Sequence, residues 1–124
     1  MAANKIIRMG PVAMSSTLTT NVMNPPTLTG GTGLAGTNTA SYLVVRHIRI
    51  VNKTAGAVTF SLYIGASAGN VAGTEFMGLG TSVAANSYVD WYGMLRLDTA
   101  DFLVGGASAA TSLTFQAEGE IGVV

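Results

Sequence analysis

Residues 58–64, Val58-Thr59-Phe60-Ser61-Leu62-Tyr63-Ile64, decide the fold class. Successive side chains of a strand point to opposite faces, so Val58, Phe60, Leu62 and Ile64 share one side and Thr59, Ser61 and Tyr63 the other. One apolar and one wetter face is the signature of an antiparallel sheet laid on a core. The preceding residues 52–57 (NKTAGA) carry turn chemistry. Before them, residues 41–51 (SYLVVRHIRIV) form the most β-branched run of the chain. Its alternation breaks, because Arg46 falls on the face of Ile48 and Ile50. That predicts a bulge, or contact on both faces.

Strands are also expected over 74–79, over 88–97 with a kink at Gly93, and over 101–104, 112–117 and 120–124. Loops are expected over 65–73, 81–87 and 105–110. The expected core is Ile48, Ile50, Val58, Phe60, Leu62, Ile64, Leu95, Leu97, Leu103, Leu113 and Phe115, with Trp91 over one end. About seven or eight short strands with regular turn signals indicate an all-β antiparallel β-sandwich, jelly-roll or immunoglobulin-like. Helix signals are poor: the Ala-rich pieces carry Gly and Ser and lack i, i+4 apolar spacing.

Residues 1–40 read differently. Apolar residues are scattered among Ser, Thr and Asn, then come Pro25-Pro26 and a Gly/Thr stretch, and Pro-Pro cannot sit in a central strand. We therefore expect an extended N-terminal arm over 1–40 and a β-sandwich domain over 41–124. The arm's Ile, Val, Met and Leu must be covered, by its own sheet or by another subunit. Ile6, Ile7, Arg8, Met9, Val12, Met14 and Val22 are the candidate protein-interface residues.

The chain has 124 residues, one domain's worth. Only 10% are charged, against about a quarter in an average domain. A surface so poor in charge is expected to be covered by neighbours. The formal net charge of zero gives no nucleic-acid or membrane footprint. The absence of cysteine removes disulfides, thiolate metal sites and a Cys nucleophile. No signal-peptide core or bilayer-length apolar run occurs, so synthesis in the cytoplasm without export by the usual route is expected.

Several motifs have a plainer reading than the chemical one. Gly31-Thr32-Gly33-Leu34-Ala35-Gly36 matches GxGxxG, but no apolar strand precedes it and no amphipathic helix follows, so it reads as a linker. His47, the only histidine, lies mid-strand and reads as packed, not catalytic. Asp98 and Asp101 bracket a two-residue turn and read as turn caps; with Asp90 they make a poor cation site. Arg46, Arg49 and Lys53 form a small basic strip that fits a salt bridge to Glu118, Glu120 or an acidic neighbour. Asn52-Lys53-Thr54 fits a glycosylation sequon that a chain without a leader would not present to that machinery. No catalytic residue, cofactor or metal is expected.

The segment from residue 42 onward resembles small β-sandwich virion proteins of tailed bacteriophages. The resemblance lies in Ile48-Arg49-Ile50-Val51-Asn52, the Lys53-Thr54 turn and the run from Val58 to Gly65. It continues in residues 88–97 followed by 98–104, and in the closing strand 113–118. It covers about two-thirds of the chain and implies a multi-copy, non-catalytic structural protein. The expected function is a capsid decoration or cement protein, a homotrimer bound to the major capsid protein on the virion's capsid surface. The alternative is a receptor- or carbohydrate-binding module of a tail or fibre, using Tyr88, Trp91, Tyr92 and loops 65–73 and 105–110.

Overall fold

A computed structural model of the chain describes residues 5–24, 31–32 and 40–123. The alternating run that opens the sequence reading becomes β5 (Val58–Gly65), and the β-branched run before it becomes β4 (Ala40–Asn52). The other strands are β1 (Lys5–Ala13), β2 (Asn21–Met23), β3 (Gly31–Thr32), β6 (Glu75–Val83), β7 (Ser87–Asp98), β8 (Phe102–Ala107) and β9 (Leu113–Val123). They form two antiparallel sheets, in the orders β3-β1-β9-β4-β7 and β2-β8-β5-β6. No helix occurs among the described residues.

The topology chooses between the two sandwiches expected from sequence. With the two-residue β3 set aside, first pairs with last (β1 with β9) and second with second-last (β2 with β8). The inner pairs follow, β4 with β7 and β5 with β6. The chain is one long antiparallel hairpin, rolled until β9 also meets β4 and β8 also meets β5. That is the jelly roll, not the immunoglobulin order.

The core lies between the sheets, with Ile48, Ile50, Phe60, Leu62, Leu97, Leu103, Leu113 and Phe115 all but inaccessible. Ile64 is half-buried against it. The anticipated bulge is present: β4 changes register between Val45 and His47 against both neighbours, so Val45 points inward while Arg46 and His47 both face out.

The segment expected as an arm is built into the sandwich. Between Lys5 and Ala13 it pairs with β9, with a register shift between Met9 and Val12. It then crosses to the second sheet, where the Ala107 N–H donates to the Ser15 carbonyl and the Gly105 N–H to that of Thr20. Asn24 ties off the end of β2, its side-chain amide donating to the carbonyls of Thr99 and Asp101. Ile7, Met9, Met14 and Met23 are core residues. A boundary at residue 40 therefore does not separate two parts of the described fold. Scattered apolar residues looked aperiodic because the segment changes sheet halfway, so no single period runs through it.

Two expected loops also prove to be partly strand. β6 runs through Val83, and β8 continues through Gly105, Gly106 and Ala107. The glycine pair looked like loop sequence, but it marks close backbone approach. A Cβ on Gly106 would lie 2.6 Å from the Ser15 carbonyl oxygen and 2.7 Å from that of Thr17. Pro25, Pro26 and the Gly33–Gly36 part of the GxGxxG match lie outside the described residues.

Candidate functional site

The outward face of the five-stranded sheet collects the chemistry of this charge-poor chain. Four of the six basic residues (Arg8, Arg46, Arg49, Arg96) and four of the six acidic ones (Asp90, Asp98, Glu118, Glu120) lie on it. The only histidine and three of the four tyrosines (Tyr42, Tyr88, Tyr92) join them. Register explains the gathering: His47 lies between Glu118 and Tyr92, and Arg49 between Gln116 and Asp90. The bulge at Arg46 shifts the alternation of β4 by one, bringing His47 and Arg49 outward while Ile48 and Ile50 turn in.

Asp90 is the centre of the network. Arg49 Nε donates to its Oδ1 at 2.7 Å and a terminal guanidinium nitrogen to its Oδ2 at 3.0 Å, a two-pronged clamp. His47 Nε2 lies 2.8 Å from Oδ1, and His47 Nδ1 3.8 Å from a Glu118 oxygen. The aromatic rings are propped by the same groups. Tyr92 stacks on His47 at 4.6 Å, the Arg49 guanidinium sits 4.5 Å over Tyr88, and Arg96 sits 4.5 Å over Tyr42. Arg96 also holds Asp98 at 2.9 Å, and Arg46 reaches Glu120 at 3.9 Å.

The Arg49 hydrogen bonds, then that of His47, hold the Asp90 carboxyl at about 2, below the ordinary 3.8, with desolvation opposing them. The same contact raises the Arg49 guanidinium. Because Asp90 is the stronger acid in the folded chain, its contribution is complete above the unfolded-state pKa and is lost as pH falls through the folded one. Thermal stability is therefore expected to decline between about pH 4 and pH 2, with Asp90→Asn removing part of that slope. Calorimetry over this range checks it; an identical acid slope in the variant would refute the coupling.

This geometry does not make a Ser-His-Asp set. A catalytic imidazole stands between an acid and a hydroxyl, whereas both ring nitrogens of His47 face carboxylates. Among the described residues, no group of three or more His, Cys, Asp or Glu is placed to hold a metal ion. Asp98 and Asp101 are turn caps: the Asp98 N–H donates to the Asp101 carboxylate, and the Asp101 N–H to the Asp98 carbonyl. The sequon's Asn52 is fully buried, its amide donating to Gly56 and Val83 and its oxygen accepting from Thr54.

The sequence-selected interface residues divide: on β1, Ile7 and Met9 turn in while Ile6, Arg8 and Val12 turn out. Ile7, Met9 and Met14 point into the chain's own core, and Val22 is half-buried against it. As this chain is folded, Ile7, Met9 and Met14 have almost no free surface to offer a partner, and Val22 only part of its own. Ile6, at 84% exposed, and the exposed Arg8 and Val12 remain on the surface. The aromatic strand divides in the same way: Tyr88 and Tyr92 face out, while Trp91 turns in and meets Phe76 edge-on at 5.2 Å. Sequence reasoning missed Asp90 as the hub and Tyr42 and Arg96 as part of this face. The signal was the even-numbered spacing Tyr88, Asp90, Tyr92, Arg96 on one strand. No protein-family model matches the chain, and no curated protein matches it.

Proposed function

We propose that this chain is a structural, non-catalytic jelly-roll subunit that works by binding other protein surfaces, as a decoration or cement protein of a viral shell. The observation that carries the reading is the concentration of Arg and Tyr on one sheet face of a protein with so few charges. Arg and Tyr are the residues that protein interfaces enrich, and a paired, ordered array of them loses little entropy when covered. The viral placement rests on the sequence resemblance and on a fold-level analogy, since the jelly roll recurs in capsid domains as well as in lectins and cupins. In this reading the sheet face docks on the major capsid protein, and the array of many such contacts favours the assembled shell.

The test is co-sedimentation with shells of the major capsid protein from the same genome. Saturable binding is expected, lost in the pair Arg8→Glu with Arg46→Glu, both exposed and away from the hydrophobic core. No binding, or binding indifferent to this reversal, would overturn the reading. One observation favours a second reading, a carbohydrate-binding module: Tyr92 is 71% exposed with its ring held parallel to His47. Glycan-array binding abolished by Tyr92→Ala would support that alternative over the first.

A further inference from the structure

One free edge of the five-stranded sheet is β7. It pairs with β4 along one side, and no strand among the described residues pairs with the other. Along this twelve-residue strand every second residue turns its N–H and C=O away from β4, a template for another strand. Natural edges of this length are usually blunted. This one carries Asp90, Arg96 and Asp98 and shifts register against β4 between Tyr92 and Leu95, but its middle also presents two large apolar side chains, Tyr92 at 71% and Met94 at 72% exposed. Just inside the edge, a cleft of about 290 Å³ opens between the sheets, lined by Trp91, Val89, Met77 and Phe60.

We propose that β7 pairs antiparallel with β7 of a second copy, about a twofold axis at Gly93, to form a dimer with one continuous sheet. The argument is the self-complementarity of the strand. Its even-numbered residues face outward throughout, so antiparallel pairing about Gly93 keeps outward residues opposite outward residues. In that register Tyr92 faces the partner's Met94 and Asp90 faces the partner's Arg96, each pair occurring twice by symmetry. Centring on Tyr92 instead sets Asp90 against Met94, and centring on Met94 sets Asp90 against Asp98, like against like.

The charge pair has room to form. A carboxylate offers about four acceptor sites. Arg49 and His47 use two at Asp90 Oδ1 and Arg49 uses one at Oδ2, which leaves one at Oδ2, on a side chain 17% accessible, for the partner's Arg96. Arg96 is exposed, its side chain 61% accessible. A twofold contact closes on itself, so this assembly is a dimer where the sequence pointed to a trimer. It does not depend on the viral reading.

The chain has no cysteine, which makes the test clean. Tyr92→Cys and Met94→Cys are prepared separately and mixed under mild oxidation. Directly opposite positions cross-link, whereas diagonal ones lie about 7–8 Å apart. The mixture is expected to give a covalent heterodimer, while each variant alone gives none. Sedimentation of the unsubstituted chain is expected to show a concentration-dependent dimer. Arg96→Glu, which faces Asp90 with a like charge, is expected to weaken it at least about tenfold with the fold intact by circular dichroism. A monomer at all concentrations overturns the contact. Self-cross-linking of Tyr92→Cys, or a dimer indifferent to Arg96→Glu, overturns the register.

Discussion

Deleting residues 2–24 is expected to leave a chain that does not fold. Had this segment been a tether, the sandwich would survive its loss, as the sequence alone suggested. The structure makes β1 an integral strand, on β9 from Lys5 to Ala13, and makes residues 15–23 the partner of β8. Removal takes Ile7, Met9, Met14 and Met23 out of the core, each at most 7% exposed. At about 1.5–3 kcal/mol per buried side chain, the loss is about 6–12 kcal/mol. A domain's whole stability is about 5–15 kcal/mol. Stripping β1 also bares β9, a strand otherwise flanked on both sides, as an aggregation-prone edge. Circular dichroism and thermal unfolding decide the matter: a cooperative transition near that of the full chain would show that the segment is an accessory after all.

What the sequence made legible follows strand periodicity. The run 58–64 alternates without interruption, and it lies in the second sheet with one face on the core. The break at Arg46 was legible as a break, because one charged residue on an apolar face has few explanations in a strand. Its consequence was not legible: the bulge sets Arg49 opposite Asp90 and brings the His47 side chain onto the same carboxylate, a residue over forty positions away. Pairing partners are set by how the hairpin rolls, and no local pattern encodes the roll. The first 24 residues were opaque for a related reason. Met9 and Met14 serve one core from different stretches, with a register shift between Met9 and Val12, so neither period 2 nor period 3.6 persists long enough to register. The glycine pair of β8 misled because glycine signals both turns and close packing, and only the neighbouring backbone tells them apart.

The second large effect is expected from Gly119→Ala. Gly119 sits in β9 opposite Val45, at the point where β4 takes up its extra residue. The bulge presses the β4 backbone toward β9 there: a Cβ on Gly119 would overlap the Val44 carbonyl oxygen and lie 3.0 Å from the Val44 carbonyl carbon and the Val45 Cα. These are backbone atoms in the middle of a ladder, so no rotamer change relieves the overlap and the two strands must part. The expected loss is about 3 kcal/mol, the upper range for overpacking, which lowers the melting temperature by more than about 10 °C. Gly56→Ala is the control. Its Cβ would meet nothing within 4 Å, so a change of no more than about 0.5 kcal/mol is expected. The same displacement reaches the surface, because Glu118 and His47 flank the overlap, and parting β9 from β4 widens their 3.8 Å approach. A melting temperature for Gly119→Ala equal to that of Gly56→Ala would mean that the strands yield at no cost, and that the bulge does not set the geometry of the charged face.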